Sequence, residues 1–278
     1  MNLILEHIKA LKFQFFILVT LLVSSEAVSQ SFDLATGSRE QPIEITADDG
    51  IEWQRENQLM VATGNAKATR GNATIESNIL RAYYQRNKKG ETRLTKIEAL
   101  QKVKIKSPTQ HITGQNAVYD LEKAILVVSG KIVKLVSGSD VITSNQQMEY
   151  FEKKEMAVAR KNAIINHDGK KLRAETLVAF FYKDKAGKSK VSRIQAFDNV
   201  MINTRTERIK AQKGIYDLKS GIVTLSGNVR ISRGKNQLNG DNAIINLNTG
   251  VSKLLASNNA KSPQKKKRIR GYLMPKRN

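Results

Sequence analysis

The chain has 278 residues, 40% of them hydrophobic, which is enough to bury the core of one large β domain or two smaller ones. It contains no cysteine, which excludes disulfides, thiol nucleophiles and thiolate metal sites. Its net charge of +22 indicates an anionic partner such as nucleic acid, a membrane surface or an acidic glycolipid.

The N-terminus has the three regions of a secretory signal peptide. Basic residues precede an apolar run at residues 13–23, and small residues follow at 27–29. We predict a signal peptide over residues 1–29, cleaved after Ser29, and a linker over residues 30–42. The apolar run is short for the roughly 20 residues of a membrane-spanning helix, and an uncleaved anchor is the alternative. Export in either form argues against a nucleic-acid partner.

A repeated stretch dominates the rest of the chain. The segment ITGQNAVYDLEKAILVVSGKIVKL at residues 112–135 recurs as IKAQKGIYDLKSGIVTLSGNVRI at residues 209–231, an offset of 97 residues. The same offset relates residues 80–84 to residues 177–181. The sequence therefore predicts a duplicated unit that begins at about Ile43.

A shorter period runs inside each copy. A small residue followed by a polar one recurs every 29 to 37 residues, which is typical of stacked supersecondary units. The pairs are Ala47-Asp48, Ser77-Asn78, Gly114-Gln115, Ser144-Asn145, Ala174-Glu175, Ala211-Gln212 and Gly240-Asp241. Apolar residues alternate with polar ones between the pairs, and the alternation slips at them. We therefore predict β-strands that bend at each pair.

Candidate catalytic groups are sparse. The chain has three histidines and no motif of a metal site, a serine nucleophile or a phosphate loop. Tyr119-Asp120 and Tyr216-Asp217 repeat, but adjacent strand residues point to opposite faces, so we expect a core tyrosine and a solvated aspartate. We predict that the protein is not an enzyme and needs no cofactor or metal.

The pattern of small-polar bend, aromatic-Asp-Leu and apolar strand resembles the LptA/OstA-like family of lipopolysaccharide export proteins. The resemblance covers about residues 43–256, with residues 117–132 and 214–231 matching best. It implies an all-β fold, an OstA-like twisted β-jellyroll of stacked antiparallel strands, here built from the duplicated unit over residues 43–260. Beyond it, residues 261–278 are predicted to be a basic disordered tail.

The family resemblance also implies a function. It implies a periplasmic protein that binds the acyl chains of lipid A in a hydrophobic groove and bridges the inner and outer membranes. Its partners would be lipopolysaccharide and the inner-membrane and outer-membrane export components. These would pair through end strands by β-augmentation, as would further copies in a head-to-tail homo-oligomer.

The alternation of side chains predicts which residues face the interior. These residues line a lipid groove on one interpretation and simply fill a core on the other. They are Tyr119, Leu121, Leu126, Val128, Ile132, Tyr216, Leu218, Val223, Leu225, Val229 and Ile231.

Three alternatives to the periplasmic bridge stay open. The first is an inner-membrane-anchored export component of the same fold, with the leader retained. The second is a secreted β-solenoid enzyme acting on acidic polysaccharide, which would need clustered catalytic side chains that the sequence lacks. The third is a secreted β-repeat protein that binds polyanions or polysaccharide through its basic surface.

Overall fold

The structure is a computed structural model, and it describes residues 42–87, 90–185, 189–249, 251–256 and 269–272. Within these residues the chain forms 18 β-strands and one 3₁₀ turn at Glu152–Lys154. The strands are β1 Glu44–Thr46, β2 Gly50–Gln54, β3 Leu59–Arg70, β4 Ala73–Arg86, β5 Thr92–Lys106, β6 Gln110–Asp120, β7 Ile125–Ser129, β8 Val133–Ser137, β9 Asp140–Ser144, β10 Gln147–Phe151, β11 Met156–His167, β12 Lys170–Lys183, β13 Ser189–Asn203, β14 Glu207–Asp217, β15 Ile222–Arg233, β16 Asn236–Asn246, β17 Val251–Leu255 and β18 Arg270–Tyr272.

The strands form one antiparallel meander that is folded over along its length. Four pairs of short strands act as single bent strands. Thus β1 and β2 both pair with β3, and β7 and β8 both pair with β6. In the same way, β9 and β10 pair with β11, and β17 and β18 pair with β16. The longer strands run through the bend with a register shift. We call the layer that contains β2, β7, β10 and β17 the upper half-sheet, and the layer that contains β1, β8, β9 and β18 the lower half-sheet.

The small-polar pairs lie at the bend, as predicted. Register shifts fall between Glu76 and Ile79 and between Lys210 and Lys213, which are the segments that hold Ser77-Asn78 and Ala211-Gln212. The polar partner bonds to the neighbouring strand, as when the side-chain oxygen of Gln115 accepts the backbone N–H of Lys131 at 3.1 Å. The small-polar pairs in the sequence therefore determine where these strands bend.

The strands β3, β5, β11, β13 and β15 cross the bend in a second way, through two consecutive residues with left-handed backbone conformation. These pairs are Gly64-Asn65, Gln101-Lys102, Lys161-Asn162, Asp198-Asn199 and Gly227-Asn228. Four of the five end in asparagine, which tolerates this conformation better than most residues do. The residue that follows each pair is buried, for example Ala66, Val103 and Val229.

Ile132 is the exception, and its predicted interior position is wrong. It is 63% exposed, whereas the next residue, Val133, is fully buried. The segment Ser129-Gly130-Lys131-Ile132-Val133 has one residue more than its counterpart Ser226-Gly227-Asn228-Val229, and no left-handed pair forms there. The extra residue moves Ile132 out of the core and brings Val133 into the place of Val229.

The duplication is visible in the strands. Strands β11 to β14 begin and end 97 residues after β3 to β6, respectively. Each unit has its own core, one formed by buried residues between Ala62 and Val133 and the other by buried residues between Ala159 and Ile245. Met148 packs against both cores and so links the two units. The predicted all-β fold of stacked antiparallel strands with a duplicated unit is confirmed.

The C-terminal prediction is corrected in one segment. Arg270–Tyr272, inside the predicted disordered tail, pairs with Asn239, Leu238 and Gln237 of β16. Gly271 makes this possible because a Cβ atom there would lie 3.2 Å from Cδ2 of Leu238. The predicted signal peptide, most of the linker and the remainder of the tail lie outside the described residues.

Candidate functional site

The interior of the folded sheet brings together most of the residues predicted to line it. Tyr119, Leu126, Val128, Leu225 and Val229 are at most 2% exposed. Val223 and Ile231 are buried near the rim of the core, while Leu121, Tyr216 and Leu218 are half-buried. The alternation of side chains therefore identified interior positions correctly, apart from Ile132 and from Leu218, which belongs to neither core.

This interior is filled by the protein's own side chains. Leu225 is fully buried, and Leu126 packs with Ile97, Val103 and Tyr119 in the first core. Protein cores packed in this way leave little empty volume. These side chains therefore close the interior along its length.

The interior is exposed at the N-terminal end of the meander. In the β2–β3 register, Ile51 and Trp53 pair with Ala62 and Met60 and point to the same side as the buried Ala62. Ile51 is 47% and Trp53 57% exposed. The Trp53 indole N–H donates to the Tyr84 hydroxyl at 2.6 Å, so an ordered aromatic pair stands at this end.

The C-terminal end is also incompletely covered. Leu238 lies opposite the interior residue Ile231 and is 37% exposed. The side chains that would cover this end are small, since Ser252 pairs with Ile245 and Gly271 with Leu238. Within the described residues, the strands at both ends of the meander pair on one side only, which leaves apolar interior surface beside open strand edges.

The two repeated tyrosines differ in their environment. The Tyr119 hydroxyl donates to the Glu152 carboxylate at 3.0 Å, while its ring is buried. Burial raises the pKa of Tyr216, and the charge of the adjacent Asp217 raises it further. Asp217 accepts hydrogen bonds from the backbone and side chain of Ser220 in the following turn, both at 2.8 Å. In each pair the tyrosine lies on the interior side of its strand, and the aspartate accepts a backbone hydrogen bond in the following turn.

A charged cluster that sequence reasoning missed lies on the outer side of the upper half-sheet. Glu98 accepts hydrogen bonds from the Lys96 ammonium at 2.7 Å and from the Tyr83 hydroxyl at 2.9 Å. Burial would raise the pKa of Glu98, but these two hydrogen bonds and the charges of Lys96 and Arg81 lower it overall. Since β4 and β5 bring together residues that are separated in sequence, only the strand register could have revealed the cluster.

The outer side of the lower half-sheet is strongly basic. Its side chains are those that alternate with the buried residues, and the strand register places them on one face. The cationic members are Lys67, Lys104, Lys106, Lys134, Lys171, Arg173, Arg208, Lys210, Arg230 and Arg270, while the acidic members are Glu44 and Glu76. Ten cationic side chains therefore share this face with two acidic ones.

Across the residues that the structure describes, no three His, Cys, Asp or Glu side chains are grouped closely enough to hold a metal ion. In the same residues, no helix is both long and apolar enough to cross a membrane.

Comparison with known proteins identifies the family. The model of the family described as "LptA/(LptD N-terminal domain) LPS transport protein" matches residues 44–156 and again residues 141–251. The starting points of the two matches are 97 residues apart, the same offset as between the two units.

Two individual proteins are also similar. The chain is 29% identical over 146 residues to the uncharacterized protein R00383 of Rhizobium meliloti (strain 1021), covering 47% of this chain and 76% of that protein. The solved structure of LptH, the LptA homologous periplasmic component of the lipopolysaccharide transport device from Pseudomonas aeruginosa, shares 12% identity. That comparison covers 86% of this chain and 99% of LptH with a TM-score of 0.22, which is too low for residue positions to be compared.

The two family matches together span well over half of the chain, and they confirm the resemblance drawn from its repeated motif. The chain belongs to the LptA/LptD N-terminal domain family of lipopolysaccharide transport proteins.

Proposed function

We propose that this protein is a periplasmic, non-enzymatic lipopolysaccharide carrier that shelters lipid A acyl chains between its two half-sheets and bridges the inner and outer membranes. The observation that carries the proposal is the apolar interior, whose two cores are linked by Met148 and which is exposed at both ends, at Trp53 and Leu238. Each acyl methylene buried there gains roughly 0.8 kcal/mol.

Opening of the folded sheet is part of this proposal. The half-sheets are joined along the bend, where the strands continue from one layer to the other. Acyl chains would replace contacts between the two layers with contacts of similar chemistry, so the apolar surface would stay out of water. Leu126 and Leu225 would then change from contacts within the core to contacts with lipid.

The exposed ends suggest how the path would continue from one protein to the next. A partner strand that paired with the free edge of β2 would cover Ile51 and Trp53, and one that paired with β17 and β18 would cover the other end. This is β-augmentation, in which backbone hydrogen bonds join two sheets. The partners would be the inner-membrane and outer-membrane export components, or further copies of this chain.

The location of the protein rests on its N-terminal sequence. We infer export to the periplasm through a signal peptide over residues 1–29, with cleavage after Ser29. An inner-membrane-anchored component of the same fold would keep this segment. Mass spectrometry of the N-terminus in cells distinguishes the two, because only the cleaved protein begins at Gln30.

Binding of acyl chains is tested by comparing intact lipopolysaccharide with its deacylated glycan as competitors for labelled lipopolysaccharide. We expect the intact molecule to compete at least tenfold better. Equal competition would contradict the acyl-chain proposal and favour a polyanion-binding protein.

A matched pair of variants locates the binding surface. Leu225→Trp adds bulk to the interior, whereas Thr224→Trp adds the same side chain to the outer face. We expect only the interior variant to weaken binding, with melting temperatures recorded to separate lost binding from lost stability. Equal binding by both variants would contradict an interior site.

A further inference from the structure

The duplicated unit contains a duplicated cavity. One cavity, of about 500 Å³, is formed by the turn between β13 and β14 together with the facing ends of β15 and β16. A smaller one, of about 280 Å³, is formed by the turn between β5 and β6 and the adjacent end of β8 and its turn. Residues 106–111 of the smaller cavity correspond to residues 203–208 of the larger one, at the offset of the repeat.

The same turn shapes both cavities. The Thr204 hydroxyl accepts the backbone N–H of Glu207 at 3.0 Å, and the Ser107 hydroxyl accepts that of Gln110 at 3.2 Å. In both turns the first residue also donates its backbone N–H to the carbonyl of the last, at 2.9 Å. The two turns therefore have the same backbone hydrogen bonds, and the two cavities differ in their side chains.

The second copy has cationic side chains where the first has neutral ones. Arg205 stands where the first copy has Pro108, and Arg208 where it has His111. Lys210 pairs with Arg230 across β14 and β15, where the first copy pairs Thr113 with Lys134. The larger cavity is therefore lined by four cations.

The charge of these four side chains is not neutralised. No ion pair joins any of them to a carboxylate within the described residues, and the one acidic side chain of the cavity, Glu207, pairs with Arg233 at 3.4 Å. In the first copy Lys106 pairs with Glu76 at 3.2 Å, and the position of Glu76 in the second copy is occupied by Arg173.

Neutral side chains orient two of the cations. The Nε group of Arg208 donates to the Asn203 side-chain oxygen, and that of Arg230 donates to the Asn239 side-chain oxygen, both at 3.2 Å. The remaining guanidinium N–H groups stay available for a ligand. Arginine binds phosphate and carboxylate through two parallel hydrogen bonds, so such a pair favours an oxyanion.

We propose that this cavity, on the outer side of the lower half-sheet, is a binding site for a phosphate ester carried on a sugar. Four cations around one cavity favour a doubly charged phosphate ester over a singly charged carboxylate. The hydroxyl groups of Thr206 and Ser232 and the side-chain amide oxygen of Gln237 line the same cavity and supply partners for sugar hydroxyls. The site is separate from the apolar interior, since Ile209 and Ile231, the neighbours of Arg208 and Arg230 in sequence, point the opposite way and are buried.

The test measures binding of glucose 1-phosphate, inorganic phosphate and glucose to the full chain by isothermal titration calorimetry at low salt. We expect one glucose 1-phosphate per chain, at least fivefold weaker binding of inorganic phosphate, and no binding of glucose. Equal affinity for phosphate and glucose 1-phosphate would overturn the sugar ester as ligand, and binding of glucose would overturn the role of charge.

A charge-matched pair of variants tests the location. Lys210→Gln/Arg230→Gln removes two cations from the cavity, and Lys104→Gln/Lys134→Gln removes two from the same face outside it. We expect the first variant to weaken glucose 1-phosphate binding at least tenfold and the second less than twofold. Equal weakening would mean that the basic face acts only through its overall field, and it would overturn the site.

A transplant tests the site without removing it. Pro108→Arg/His111→Arg/Thr113→Lys gives the first cavity the side chains of the second, and Lys134 already occupies the place of Arg230. We expect the stoichiometry to rise from one to two glucose 1-phosphate molecules per chain. An unchanged stoichiometry in a variant with the wild-type melting temperature would contradict the proposal.

Discussion

Glu149 and Arg160 lie diagonally across the adjacent strands β10 and β11 at the junction of the two units, where Arg160 is directly opposite Gln147. The Nε group of Arg160 donates to Glu149 Oε1 at 2.6 Å, and its Nη2 group donates to Oε2 at 3.1 Å. Glu149 is 8% exposed, and β10 and β11, which carry the two residues, form the seam between the two cores. This pair therefore holds the seam while keeping a buried carboxylate satisfied.

Loss of the arginine leaves that carboxylate without its main partner. We expect Arg160→Ala to lower the free energy of unfolding by about 1–3 kcal/mol, because a buried charged acceptor then lacks its hydrogen bonds. Urea denaturation measures the change. Arg193→Ala, which alters an exposed arginine stacked on Phe180, is the control and should change the free energy of unfolding by under about 1 kcal/mol. Equal effects of the two variants would contradict a special role for the seam.

The same pair makes stability depend on pH. Burial would raise the pKa of Glu149, but hydrogen bonds from Arg160 and Gln147 outweigh it and lower the pKa below its ordinary value. A carboxylate with a lowered folded pKa stabilises the fold above its unfolded pKa, and this stabilisation is lost as the pH falls through the folded pKa. The wild type should therefore lose more stability than Glu149→Gln on acidification from about pH 6 to about pH 3. Parallel losses, measured by urea denaturation across this range, would show that Glu149 does not titrate in this way.

The one-residue insertion in the first unit predicts that two adjacent residues, Ile132 and Val133, contribute differently to stability. Val133 is fully buried and Ile132 is 63% exposed. We expect Val133→Ala to destabilise the protein by about 2 kcal/mol and Ile132→Ala by less than about 0.5 kcal/mol. Thermal unfolding of the two variants decides the point. A larger effect at Ile132 would restore the interior position that the repeat alone predicts.

Gly227 tests the left-handed corner. Its φ is +79°, and an added Cβ atom would lie 2.7 Å from Cβ of Gln212 on the neighbouring strand. Gly234 also has a positive φ, of +54°, but has no atom within 4 Å of an added Cβ. We expect Gly234→Ala to destabilise by about 1 kcal/mol through backbone strain alone, and Gly227→Ala by about 3 kcal/mol because the clash is added. Equal denaturation midpoints for the two variants would show that the corner can relax.

The exposed interior at the ends of the meander leads to a prediction about association. If the free edge of β2 pairs with a neighbour, charges placed beside it should prevent pairing. We expect the wild type to associate with rising concentration in sedimentation velocity experiments and Ile51→Lys/Trp53→Lys to stay monomeric. Val118→Lys/Ile215→Lys places the same charges on the outer face and should associate like the wild type. Association of the Ile51 and Trp53 variant would exclude this edge.

The sequence was most informative where its pattern reflects the strand period. Alternation around Leu126 and Leu225 predicted their burial, and the small-polar pairs predicted the bends. The left-handed pairs were not recognised, although asparagine at positions 65, 162, 199 and 228 was a usable signal. The position of Ile132 could not be predicted by aligning the two copies, because a one-residue insertion moves each side chain to the opposite face.

Clusters that depend on register were beyond the reach of local sequence patterns. The four cations of the larger cavity come from two separate segments, and Glu98 meets Tyr83 across a strand pair. The net charge predicted an anionic partner but not its place. Similarly, the aromatic pair of Trp53 and Tyr84 lies at an open end only because β2 is an end strand of the meander.

Site-specific photo-crosslinking in cells tests the central claim, that lipid passes through the interior, most directly. A photoreactive residue is placed at Leu126 and Leu225, which are buried, and at their outward-facing neighbours Val127 and Thr224. The proposal predicts lipopolysaccharide adducts at Leu126 and Leu225 and at least tenfold fewer at Val127 and Thr224. Equal labelling at the four positions, or labelling only at the outward-facing pair, would contradict transport through the interior.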